Sequence, residues 1–145
     1  DRLVERRGLE KIKTIGDAYM IVAGMNDNNM NSYHAVEIMN IAAEMFRVLT
    51  KINKKYGMQF QIRVGVHTGP VIAGVIGVKK FAYDVWGNAV NTASRMESHG
   101  RPGFIHLSEE MYHLVMDMPG FQYTGPETSP IKGLGLMTTY LAKPM

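Results

Sequence analysis

The sequence predicts one α+β domain, a mixed sheet covered by helices. Three observations carry that reading. The length is 145 residues, close to one domain's worth. Hydrophobic residues make up 46% and charged residues 20%, which suits a globular core and excludes a disordered tail or a coiled-coil rod. Strand-period and helix-period segments alternate along the chain, with hairpin signals between some of the strands.

Residues 9–15 and 18–24 are two β-rich runs separated by Gly16-Asp17, a pair that reads as a tight hairpin turn. A polar loop over 26–32 follows, and Ser32 suits a helix cap. Over 33–55 the apolar period becomes helical: Ala35, Ile38, Met39, Ala42, Met45, Phe46, Leu49 and Ile52 form one stripe. Lys51, Lys54 and Lys55 suit the negative end of that helix, and Gly57 stops it. Phe60, Ile62, Val64 and Val66 alternate with polar or small residues, which predicts a half-buried strand over 60–66. Gly69-Pro70 turns the chain into strands at 71–76 and 81–86.

Residues 88–98 read as a helix with Ala89, Val90, Ala93 and Met96 inward. A break at 100–103 precedes a strand at 104–107. Ser108, with Glu109 and Glu110 behind it, caps a short helix reaching Met116. Strands at 121–124 and 137–143 flank a loop rich in glycine and proline.

Composition narrows the chemistry. There is no cysteine, so disulfides, thiolate catalysis and cysteine zinc sites are excluded, and a reducing compartment fits. No apolar run is long enough to span a bilayer as a helix. The first seven residues, rich in charge, are not patterned as a secretory leader. The net charge of +3 suits an anionic small molecule or a nucleic acid, and equally a domain with no anionic partner. The 12 methionines read as adaptable core filling. Gly69, Gly74 and Gly77 lack the lysine and hydroxyl of a phosphate-binding P-loop. His34, His67, His99, His106 and His113 show no ligand spacing and read as structural or solvent-facing. Aromatic and basic residues do not interleave as a nucleic-acid surface would, so no nucleic-acid partner is expected.

Two segments carry polar residues that a simple fold does not need. Asp17 at the hairpin tip is either an ordinary turn residue or a metal-ligating carboxylate on a rigid support. Asn91 and Arg95 are spaced i and i+4, on the helix face opposite its apolar side. Together they suit a phosphate or a ribose, or simply a solvated face.

Three motifs in order, Lys11-Ile12-Lys13-Thr14-Ile15-Gly16-Asp17, then Arg63-Val64-Gly65-Val66-His67-Thr68-Gly69-Pro70-Val71, then the stretch from Tyr83 to Glu97, resemble the catalytic domains of class III nucleotidyl cyclases. The resemblance runs from about Gly8 to Ala142. It implies a ferredoxin-like mixed sheet covered by helices, and conversion of a nucleoside triphosphate to a 3′,5′-cyclic monophosphate and pyrophosphate. It also implies two divalent metal ions, Mg2+ or Mn2+, and a head-to-tail homodimer with its sites at the interface.

By position, Asp17 resembles a metal-binding aspartate. Lys13 and Asp84 resemble the pair that reads adenine, whereas guanylyl cyclases carry Glu at the first position and usually Cys or another small residue at the second. That points to ATP as substrate. Asn91 resembles the asparagine that orients the ribose, and Arg95 the arginine that meets charge on the α-phosphate. Lys132, in Ile131-Lys132-Gly133, resembles the lysine that holds the terminal phosphates.

The family pattern begins with a Phe-x-Asp-Ile strand and a helix, the strand supplying the other metal aspartate. Neither is found before Lys11, so the chain reads as an N-terminally truncated, partial cyclase domain with little activity of its own. The resemblance implies a cytoplasmic domain within a larger membrane or sensor-linked protein. A guanylyl cyclase and a non-catalytic cyclase-like regulatory domain are the competing readings.

Overall fold

A computed structural model describes residues 10–15, 18–23, 32–69, 72–76, 82–86 and 88–145. In chain order the elements are β1 (Glu10–Ile15), β2 (Ala18–Val22), α1 (Ser32–Tyr56), β3 (Val64–Val66), β4 (Ile72–Ile76), β5 (Ala82–Trp86), α2 (Asn88–Ser98), β6 (Ile105–Ser108), α3 (Glu109–Val115), β7 (Phe121–Ile131) and β8 (Gly135–Pro144). This is the mixed α+β architecture that the sequence predicts.

Among the described residues, four strands form a mixed sheet in the order β3-β6-β8-β7. β3 runs parallel to β6, with Val64 opposite Ile105 and Val66 opposite Leu107. β6 and β8 are antiparallel, as are β7 and β8. The other described strands form two antiparallel hairpins, β1 with β2 and β4 with β5. The first pairs Ile15 with Ala18, as the Gly16-Asp17 signal predicts, and carries a register shift between Lys11 and Lys13.

The core gathers Ala35, Met39, Ala42 and Ala43 from α1, Val66, Ile105 and Leu107 from the sheet, and Met111 and Val115 from α3. Along α1, Ala35, Met39 and Ala42 of the predicted stripe are buried, Ile41 and Ala43 are buried off it, and Ile52 at its end is exposed. Ser32, expected as a cap, is the first residue of α1. Ser108 does cap α3: its hydroxyl accepts a hydrogen bond from Met111 N at 3.3 Å. Among the described residues no helix is long and apolar enough to cross a membrane.

Two strand expectations need correction. The strand predicted over 60–66 shrinks to Val64–Val66. Asn53, near the end of α1, takes both backbone groups of Phe60: its Nδ2 donates to Phe60 O at 2.9 Å and its Oδ1 accepts from Phe60 N at 3.0 Å. Those groups are therefore unavailable to a neighbouring strand, and the Phe60 ring lies exposed. The glycine- and proline-rich loop predicted after residue 124 is instead mostly strand. β7 continues to Ile131 and pairs with β8 throughout, absorbing Gly125-Pro126 as a register shift between Thr124 and Glu127. Thr128 and Thr138 face each other with their hydroxyls 3.0 Å apart, and Ile131 at the far end is buried.

Candidate functional site

Helix α2 carries two of the predicted site residues, and its seat on β3 decides where they stand. β3 carries Gly65, and a Cβ there would collide with Glu97 N and the Met96 carbonyl carbon and lie 2.6 Å from Glu97 Cα. Strand and helix thus touch backbone to backbone, an approach that only glycine allows. Four residues on, a Cβ at Gly69 would lie 3.1 Å from Ala89 Cβ. Four steps of extended chain from 65 to 69 and eight helical steps from 89 to 97 cover about the same length, roughly 12 Å. The helix therefore lies antiparallel along β3 and its following loop, with a glycine under each end.

This seat corrects the expected inner side. Thr92 and Met96 are the buried residues of α2, while Ala89, Val90 and Ala93 are half-buried. Thr92 can be buried because its hydroxyl donates to Asn88 O at 2.8 Å. Asn91 and Arg95 each precede a buried residue, so they lie on the flank of the buried side, turned by about 100°, rather than opposite it. Asn91 is exposed and Arg95 half-buried.

Lys13 lies in β1 opposite Met20, and Asp84 in β5 opposite Gly74. β1 contacts β5, and β5 contacts α2. The strands of both proposed base-reading residues, and the helix of Asn91 and Arg95, are thus neighbours. Lys132 is exposed in the 132–134 turn between β7 and β8, the edge of the sheet opposite the strand on which α2 rests. Asp17 lies outside the described residues. Among the described residues no three His, Asp or Glu side chains cluster closely enough to hold a metal ion.

Other polar groups stand close to this assembly. His67, half-buried at the end of β3, shares a 2.6 Å hydrogen bond between its Nδ1 and Ser108 Oγ, and Glu110 Oε2 lies 3.5 Å away. Burial lowers its pKa below the usual histidine value, and the Glu110 carboxylate partly offsets that. Arg63 and Glu97 form an exposed ion pair at 3.3 Å. A groove of about 330 Å³ between the 99–102 turn and the β7–β8 hairpin is lined by His99, Arg101, Glu127 and Tyr140 among others. None of the predicted site residues lines it.

Gly65, Gly69 and the two histidines His67 and His106 are the positions that sequence reasoning did not assign to the site. A glycine in a strand pattern was the available signal, since it marks close backbone approach. The histidines gave none.

Residues 1–144 match the family described as adenylate and guanylate cyclase catalytic domain. The chain belongs to that family. It is 45% identical over 142 residues to guanylate cyclase soluble subunit beta-2 of Rattus norvegicus, covering 97% of this chain and 20% of that protein. It is 41% identical over 140 residues to an adenylate cyclase of Mycobacterium tuberculosis, covering 97% of this chain and 31% of that protein. This cyclase domain sequence therefore spans a fifth to a third of the length of these curated relatives. Among solved structures, the guanylate cyclase domain of RhGC from Catenaria anguillulae in complex with GTP superposes with a TM-score of 0.86 at 34% identity, covering 99% of this chain and 77% of that one. Class III cyclase membership, expected from the three motifs, thus holds across the chain, and both nucleotide specificities occur among its relatives.

Proposed function

We propose that the domain converts ATP to 3′,5′-cyclic AMP and pyrophosphate. The observation that carries this reading is the placement of Lys13 and Asp84 on contacting strands. An ammonium donor meets the N1 acceptor of adenine, and a carboxylate accepts from its amino group. Guanine presents the reverse pattern at those edges, and a site whose buried polar groups are left unpaired rejects the wrong base strongly.

In this reading the 3′-hydroxyl of the ribose attacks the α-phosphate and pyrophosphate leaves. Asn91 holds the ribose so that the attack is in line. Arg95 donates to the α-phosphate oxygens as charge builds there, the kind of preorganised donor whose removal costs about 10²–10³ in rate. Lys132 binds the terminal phosphates. Asp17 would hold the divalent metal, because its hard carboxylate oxygens suit Mg2+ or Mn2+. A metal bound there neutralises phosphate charge and lowers the pKa of a hydroxyl. The partner is a second copy of the chain, arranged head to tail, with Asp17 of one copy facing Arg95 of the other. Guanylate cyclase activity is the second reading, favoured by the 45% identity to the rat subunit.

Turnover by the intact protein decides between them. With Mn2+ or Mg2+, ATP should yield cyclic AMP faster than GTP yields cyclic GMP, and chelation should stop both. The double substitution Lys13→Glu with Asp84→Cys should move preference toward GTP. A wild-type preference for GTP, or a double variant that still prefers ATP, would count against the adenine assignment. Shared sites have their own test. Asp17→Ala and Arg95→Ala homodimers should each be nearly inactive, and random mixing of the two should restore about a quarter of wild-type activity if the sites act independently. No recovery despite heterodimer formation would mean sites built within one chain.

A further inference from the structure

We propose that His106 is a positioning residue for Arg95, setting where the last turn of α2 presents that guanidinium. The proposal rests on the reading of Arg95 as the residue that meets charge on the α-phosphate. The last turn of α2 does not close as an α-helix would. His99 N donates to Arg95 O at 2.9 Å, in helical register. Gly100 N then donates to Glu97 O at 3.1 Å, three residues back, so it does not serve Met96 O. That carbonyl is capped from another element: His106 Nδ1 lies 2.8 Å from it.

A carbonyl only accepts, so Nδ1 carries the proton. Nε2 pairs with the hydroxyl of Thr139, 2.9 Å away on β8. His106, Thr139 and Met96 are all buried. Room for the ring exists because residue 100 is glycine: a Cβ there would lie 3.0 Å from Met96 O and 3.3 Å from His106 Cβ.

The consequence follows from where His106 is anchored. It lies in β6, between β3 and β8, paired with Gly65 on one side and Leu141 on the other. A stiff side chain on an interior strand thus grips the carbonyl next to Arg95. The Met96 carbonyl sets the tautomer, and the Thr139 hydroxyl holds the ring from its far side. Gly65 sets how closely this turn approaches β3, and the His106 bond sets the direction of the Met96 carbonyl; without that bond the turn can rotate about its contact with β3. A displacement of about 1 Å at a group that contacts the reacting centre can cost on the order of 10²-fold in rate.

The test is carried out on the intact protein with steady-state kinetics. His106→Gln keeps a polar atom at the ε position toward Thr139 and loses the δ donor. It should lower kcat about 10–100-fold with KM changed less than about 3-fold, since the defect is felt in the transition state. His106→Asn puts an N–H at the δ position and should bring kcat back to within about 3-fold of wild type. In an Arg95→Ala background, His106→Gln should cost less than about 2-fold more, because residues acting through one group are not additive. A folded His106→Gln protein with wild-type kcat overturns the proposal. So does a full additional loss in the Arg95→Ala background. If Arg95→Ala itself keeps wild-type kcat, the reading of Arg95 fails first, and the positioning role falls with it. Should His106→Gln fail to fold, Thr139→Val decides by the same measures: a kcat loss of about 3-fold or more with KM held supports the proposal, and an unchanged kcat overturns it.

Discussion

The two ends of α2 are seated on the same strand and loop by different means. At the C-terminal end, which carries Arg95, Gly65 brings backbone against backbone and His106 caps Met96 O. At the N-terminal end, next to Asn91, Gly69 meets side chains instead, the methyl of Ala89 and the ring of His67. The loop under that end is tied to α3 through His67, Ser108 and Glu110. One end is clamped to two strands, β3 and β6, and the other rests on a loop whose tie includes a titratable group. A helix can thus be rigid by itself and still owe the placement of its two ends to separate tertiary contacts.

The largest expected effect comes from breaking the clamp. Gly65→Ala puts a methyl into the α2 backbone, which cannot yield as a side chain can. Overpacking of this kind should cost at least about 3 kcal/mol, a large part of a domain's stability. Denaturant unfolding measures it. A loss under about 1 kcal/mol would mean that α2 moves off β3 without penalty and that the clamp is not tight.

A gentler perturbation sharpens the contrast. At Gly69 the obstacle is a side-chain methyl 3.1 Å away, so Gly69→Ala should cost about 1 kcal/mol, well under the Gly65 figure. Equal losses at the two glycines would mean that both ends of α2 are held equally tightly.

The smallest effect is pH dependence at the looser end. Burial holds the pKa of His67 below 6.5 in the folded state, so between the two values the unfolded chain binds more protons. Stability is therefore whole above pH 6.5 and falls as pH drops through the folded pKa. The melting temperature of the wild type should decline over that window more steeply than that of His67→Gln. Parallel curves would show that His67 titrates alike in both states.

Much of the local structure was legible because it depends on neighbours in sequence. The Gly16-Asp17 pair announced the β1–β2 hairpin, the apolar stripe announced α1, and Ser108 with two glutamates announced the cap of α3. The bounds of α2 matched their expectation, since its apolar period and flanking glycines are local signals. The motifs at residues 11–17, 63–71 and 83–97 also sufficed for the family. Of the site, the residue identities could be nominated, but not their arrangement.

Tertiary structure decided whatever depends on residues far apart in the chain. Alternation from Phe60 to Val66 predicted a strand, but Asn53 captured the Phe60 backbone and shortened it. Glycine and proline predicted a loop after Thr124, but pairing along β8 carried the strand through. The buried face of α2 holds a threonine that no hydropathy pattern selects, because β3 approaches from that side and Thr92 satisfies its hydroxyl within the helix. His106, featureless in sequence, acquires its role only when the end of α2 leaves Met96 O without an amide donor and β6 brings an imidazole to it. Periodicity records which residues avoid water. It does not record which partner arrives, and a carbonyl or a glycine takes its meaning from that partner.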